Sequence, residues 1–189
     1  ENAYEADVIM VASAYKNEPS VTQIAGVKNF MSHKEMQLNR NEFLFDTGII
    51  YDMDLSKVFD INEDLITEEA THSWYENNEP LHPYEGKTNP KYTGFKDMET
   101  IGANKEKVHS KVIDEKGKYS WIKSPLYDDE RMEVGPLARM IVGVAKGDAR
   151  ITKYVTTFLK NGNLPTAVLF STVGRTAARA IETELMADV

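Results

Sequence analysis

Apolar positions follow helical spacing in the first and last parts of the chain and strand-like spacing in between. Tyr4, Val8, Val11 and Tyr15 fall at helical intervals, with Ile9 and Ala12 alongside, so the spacing predicts a helix over residues 3–16. Asn17-Glu18-Pro19-Ser20 ends it, because Pro19 disfavours helix at the residue before it. Residues 21–42 hold a short apolar stretch and then the polar run His33 to Asn41, which reads as a surface loop. Residues 1–42 are thus expected to be helix and loop.

From Glu42 to Tyr75 the pattern is extended, and residues 43–127 as a whole read as strands and a long loop. Phe43-Leu44-Phe45 and Ile49-Ile50-Tyr51 flank the turn-like triplet Asp46-Thr47-Gly48, and Lys57 to Ile61 is a further short strand. Ile66, Glu68, Ala70, His72 and Trp74 alternate with their neighbours; strand or a short helix fits this piece, and the β-branched and aromatic content favours strand. Residues 76–110 carry Pro80, Pro83, Pro90, Gly86, Gly94 and Gly102 and read as one long irregular loop, a feature that usually serves binding or packing. Lys111 to Asp114 and Lys118 to Lys123 read as a hairpin around Glu115-Lys116-Gly117.

Residues 128–189 are helical. Gly135-Pro136 opens a helix with Pro where its missing N–H is harmless, and Leu137, Met140, Ile141 and Val144 form its stripe up to Gly147. Ile151, Tyr154, Val155, Phe158 and Leu159 form a second stripe, ended by Gly162. Pro165 starts a third helix with Ala177, Ala180, Ile181 and Leu185 on one face. The fold class is α+β: a small antiparallel sheet and a long loop, followed by a cluster of helices.

Composition narrows the function. With 189 residues, 41% of them hydrophobic, the chain suits one sizeable domain or a compact part of a larger one. A net charge of -8 repels phosphate backbones, so nucleic acid is excluded as a partner, and no basic stripe suits an anionic membrane. The best apolar run, residues 166–170, is far too short to cross a bilayer. The first residues lack a basic signal-peptide region and an initiator Met, and the last still read as helix, so both ends are expected to be cut. Cysteine is absent.

Several short motifs invite chemistry. Glu69-x-x-His72 and Glu79-x-x-His82 have the spacing of di-iron carboxylate sites, but that chemistry needs both residues on one helical face. Pro80 and the extended pattern around His72 favour ordinary loop and strand residues. Gly86-Lys87-Thr88 ends like a phosphate-binding loop, yet the upstream glycine position holds Leu81, so a turn is the simpler reading. Arg139, Arg175, Arg179 and Glu182 form a charged set in which Arg179 faces Glu182 along a helix. They read either as intramolecular ion pairs or as anchors for carboxylates elsewhere in a longer chain. The four histidines assemble into no nucleophile–base arrangement.

One string covers a strand, a Pro-set turn and a Pro-started helix: Tyr119-Ser120-Trp121-Ile122-Lys123-Ser124-Pro125-Leu126-Tyr127, then Met132-Glu133-Val134-Gly135-Pro136-Leu137-Ala138-Arg139-Met140. It resembles the large subunit of nickel–iron hydrogenases. So do Asp54-Leu55-Ser56-Lys57-Val58, Thr71-His72-Ser73-Trp74-Tyr75, Leu81-His82-Pro83-Tyr84, Thr88-Asn89-Pro90-Lys91-Tyr92-Thr93-Gly94 and the stretch from Phe170 to Glu182, in matching order. The resemblance spans nearly the whole chain and is weakest from Glu18 to Arg40. Where the family commonly has Pro-Arg-Tyr, this chain has Leu126 between Pro125 and Tyr127, so an arginine interaction is lost there.

The resemblance implies an internal segment of a larger, mainly helical subunit whose enzyme splits dihydrogen reversibly into protons and electrons. It implies a nickel–iron centre with carbon monoxide and cyanide ligands, held by two cysteine pairs, and a magnesium ion nearby. Thiolates suit such metals as soft, strongly donating ligands. An iron–sulfur small subunit would carry the electrons, and the remainder of the large subunit would complete the site. With no cysteine here, no metal ligand or catalytic residue carries over. The segment is expected to be scaffold, inactive and cofactor-free alone, with self-association through its cut faces. Glu133 is expected to lie toward the magnesium or a proton route, and Trp74 and Trp121 to be core packing. The likeness to uptake enzymes implies a parent on the periplasmic side of the cytoplasmic membrane.

Overall fold

The computed structural model describes residues 3–18, 23–76, 79–86, 88–114 and 116–189. Contacts divide the chain into one unit built from Glu1–Ile61 with Met132–Val189 and a second from Asn62–Arg131. Among the described residues the strands form four two-stranded antiparallel ladders rather than one sheet.

The first unit begins with α1 (Ala3–Ala14). Its buried residues are Val8 and Ala12; Val11 and Tyr15 of the expected stripe are exposed. Pro19 and Ser20, assigned to its stop, lie outside the described residues. Strand β1 (Phe30–Ser32) pairs with β4 (Gly48–Ile50), and β2 (Glu35–Asn39) pairs with β3 (Glu42–Phe45) across a register shift. This corrects one expectation. The polar run from His33 to Asn41 supplies β2 and the turn of a hairpin rather than a loop, because its backbone pairs while its side chains stay largely in solvent. The segments on either side of Asp46-Thr47-Gly48 join different ladders. Lys57 to Ile61 contributes only a single bridge, Ile49 to Phe59.

The helices of this unit follow from local signals. Gly135, at φ 101, turns the chain so that Pro136 can begin α2 (Pro136–Ala145). Asp148 caps α3 (Ala149–Asn161), its carboxylate accepting from the Ile151 amide at 2.9 Å. The expected third helix is interrupted. A 3-10 turn (Thr166–Phe170) ends at Ser171, whose hydroxyl oxygen accepts from the Gly174 amide and so caps α4 (Thr172–Ala187). Gly174 is required there, since a Cβ would lie 2.1 Å from the Leu169 carbonyl oxygen. Phe30, Leu44, Phe45 and Ile50 from the strands pack with Met140 and Ile141 of α2, Val155 and Phe158 of α3, and Ile181 and Leu185 of α4 in one core.

The second unit opens with a 3-10 turn (Glu63–Leu65) leading into β5 (Ile66–Glu69), which pairs with β8 (Ser124–Tyr127). The expected long loop contains β6 (Phe95–Ile101), and β7 (Lys107–Ile113) pairs with it from Phe95↔Ile113 to Ile101↔Lys107. The hairpin therefore turns at residues 102–106, not at Glu115-Lys116-Gly117, and Glu115 lies outside the described residues. Residues 118–123 form no strand; Ser120 makes one bridge to Ser73.

Candidate functional site

The arginines singled out by sequence lie in the first unit, on helices whose apolar faces fix their positions. Arg139 of α2 makes two bonds to Glu182 of α4, both 2.8 Å, and a third, 2.9 Å, to Glu35 of β2. Its guanidinium also lies 5.2 Å from the centre of the Phe45 ring. The Arg139 and Glu182 side chains are 13% and 12% exposed, so the pair is largely desolvated. Burial pulls the Arg139 pKa down, but the bonds and charges of Glu182 and Glu35 outweigh it and hold the pKa above its ordinary value. Arg179 does not pair with Glu182 as expected. Its guanidinium donates to the Arg175 carbonyl, because Glu182 is already held by Arg139.

Arg175 grips Glu133 in the same fork geometry, at 2.8 and 2.5 Å, and donates to the Phe170 carbonyl at 3.0 Å. The Phe170 oxygen also accepts from the Ala25 amide. Glu133 is tied through its backbone to β1: its amide donates to Asn29, and its carbonyl accepts from Met31. One arginine thus fastens the segment before α2 to the start of α4. Gly26 leaves room for it, since a Cβ there would come within 2.9 Å of the guanidinium.

A second group of charges on this unit was not legible in the sequence. Glu5 of α1 is bonded to Glu184 of α4, and burial together with that neighbour pushes its pKa up to about 7. Tyr154 of α3 donates to Asp188 at the end of α4. No local pattern marks this cluster, because its members come from three helices far apart in sequence.

In the second unit Lys118 is buried and donates to the carbonyls of Ala70, Thr71 and Ser73 at 3.2, 3.4 and 2.8 Å. Desolvation, with the nearby Lys91 charge, lowers its pKa. This ammonium closes the turn that carries His72, whose ring stacks on Tyr119 and whose Nδ1 lies 3.0 Å from the Gly117 carbonyl. Trp74 is buried, edge-on to both Tyr92 and Trp121, and in line with the packing expected of it. Trp121 is 49% exposed and so lies at the margin of that cluster rather than in a core.

The remaining motifs do not assemble. Glu69 ends a strand and His72 follows in a turn, while the His82 Nδ1 accepts from the Tyr84 amide, so neither Glu-x-x-His unit lies on a helix. Among the described residues no group of three His, Cys, Asp or Glu side chains could hold a metal ion. Lys87 lies outside the described residues, and the Gly86 amide closes a turn onto His82. Leu126 occupies its position in β8 opposite Thr67.

These observations define an α+β scaffold clamped by desolvated Arg–Glu forks. The chain belongs to the nickel-dependent hydrogenase family, which it matches across residues 1–189. It is 57% identical over 186 residues to the quinone-reactive Ni/Fe-hydrogenase large chain of Wolinella succinogenes, covering 98% of this chain and 32% of that one. It is 37% identical to the uptake hydrogenase large subunit of Bradyrhizobium diazoefficiens, covering 96% and 31%. The nickel–iron–selenium hydrogenase of Desulfomicrobium baculatum superposes with a TM-score of 0.69 at 26% identity, covering 98% of this chain and 34% of that one. The chain thus spans about a third of the length of the relatives it matches. A nickel centre of the kind the family name implies takes thiolate donors, and a chain without cysteine supplies none; the residues present do not fit that group.

Proposed function

We propose that this chain is scaffold of a hydrogenase large subunit whose enzyme oxidises dihydrogen reversibly to protons and electrons. The observation that carries this is the family match along all 189 residues, joined to the 57% identity with a Ni/Fe-hydrogenase large chain. In the whole protein the nickel–iron centre carries carbon monoxide and cyanide on iron, with magnesium nearby, on ligands outside this chain. An iron–sulfur small subunit takes the electrons, and the relative named quinone-reactive supports a quinone as their acceptor. The same relative supports a membrane-associated enzyme, which we place on the periplasmic side. Within the chain itself, no helix among the described residues is long and apolar enough to cross a membrane.

Within this reading the Arg–Glu forks hold the scaffold in shape. The two bonds from Arg175 to Glu133 favour an architectural part for that carboxylate, since a proton carrier there would first have to break them. The deciding experiment is hydrogen-dependent dye reduction by the full-length large subunit purified with its small subunit, with nickel and iron measured on the same sample. Expected are both metals and hydrogen oxidation. A metal-loaded complex with no hydrogen-dependent turnover overturns the proposal.

A further inference from the structure

Helix α1 is apolar nearly all the way round. Its 12 residues include only two charges, Glu5 and Asp7. Val8 and Ala12 are buried, Ala12 in a small cluster with Val168 and Val173. Away from that face, Met10 is 65% exposed and Val11 46%, with exposed Tyr15 continuing the row one turn further. A helix that is hydrophobic on every side belongs in a protein interior or a membrane. At ~18 Å the element is too short to span a hydrocarbon core of ~30 Å.

Beside this surface runs a groove of about 400 Å³ between α1 and α4, lined by Val8 and Val11 on one side and Thr172, Val173 and Thr176 on the other, with Asp7 also in its lining. Val11 stands three residues from Val8 and four from Tyr15, the spacing by which one helix presents a row of side chains to another.

We infer that this α1–α4 face is a docking surface for an apolar helix of the same large subunit, contributed by polypeptide outside these 189 residues. The inference rests on the hydrogenase reading, because it is the relatives that extend to about three times the matched length. The same-subunit occupant follows from composition. All-round apolarity marks a helix enclosed by its own domain, and about two thirds of each relative's length lies outside the matched region, enough to enclose it. The occupant therefore presents aliphatic or aromatic side chains to Val11 and a hydrogen-bond donor or cation to Asp7.

The test places a photo-reactive benzophenone side chain at Val11 in the full-length subunit, within the assembled enzyme, with the exposed position Lys160 as control. After illumination, peptide mass spectrometry locates the link. A link from position 11 to a large-subunit peptide outside the region described here, absent from the Lys160 control, is the expected result. A link to the small subunit, a link to a second copy, or no more linkage than at Lys160 overturns the inference. The same sample is assayed for hydrogen oxidation. Activity with a link elsewhere defeats the docking surface alone, while metal-loaded but inactive unmodified enzyme defeats the functional reading itself.

Discussion

Arg139 and Glu182 are each about seven-eighths buried, and that sets what a substitution does. Glu182→Gln leaves the Arg139 guanidinium with Glu35 as its carboxylate partner, so the loss falls short of the about 3–5 kcal/mol of a buried charge left uncompensated. The variant is therefore expected to lower the unfolding free energy of the intact subunit, read from urea denaturation, by about 1–3 kcal/mol. Arg150→Ala, whose pair with Glu42 is roughly half exposed on both sides, should move it by no more than about 0.5 kcal/mol. Glu133→Gln in the active enzyme should behave like a milder Glu182 change, lowering thermal stability while metal content and turnover stay as they are. A large fall in turnover at unchanged metal content would return Glu133 to a proton route. Sequence pointed to these residues but misassigned one bond. Arg179 and Glu182 are neighbours along a helix, yet Glu182 is taken by Arg139, 43 residues earlier, because the packing of α2 on α4 aligns a fork with it. Local spacing has no access to such a partner, nor to Glu35, 104 residues from Arg139.

At the scale of elements, the attachment of α1 is expected to depend on pH. Burial disfavours the charged form of Glu5, and so do the hydrogen bond and the charge of Glu184 on α4. Its pKa in the fold, about 7, lies above the ordinary 4.5. The folded state thus binds the Glu5 proton more tightly than the unfolded chain, and this stability is present at low pH and lost as pH rises between those two values. Hydrogen exchange at residues 3–14, corrected for intrinsic rates, should quicken across that window. Glu5→Gln should flatten the dependence; an unchanged slope in that variant assigns the effect to another group. Helices α2 and α3 were readable because each has a wide apolar stripe and a local stop or cap, such as Gly147 and Asp148. The β6–β7 ribbon was not. Every β6 residue is exposed, so neither face was selected to be apolar and no alternation marks the strand.

For the molecule as a whole, burial separates a helical core from a weakly supported ribbon, and that difference is measurable. Phe158, Ile141 and Ile181 are at most 1% exposed, and amides of the helices carrying them open only with the unit itself. The β6–β7 ribbon has solvent on both faces, and a two-stranded ribbon in that condition is marginal in water. Its cross-strand ties are surface ones, Glu99 to Lys107 among them, worth at most about 1 kcal/mol. In this chain, amides of Lys107–Ile113 should exchange orders of magnitude faster than those of residues 139–145, and high salt should widen the gap by screening the ribbon's charges. Under the proposed scaffold role, the same comparison is repeated in the full-length subunit assembled with its small subunit. A ribbon that stays fast there is an outward-facing arm, whereas strong protection of β7 in the assembly alone identifies it as a second surface that the rest of the enzyme covers. Equal protection of ribbon and helices in the chain by itself would contradict the burial pattern from which the expectation is drawn.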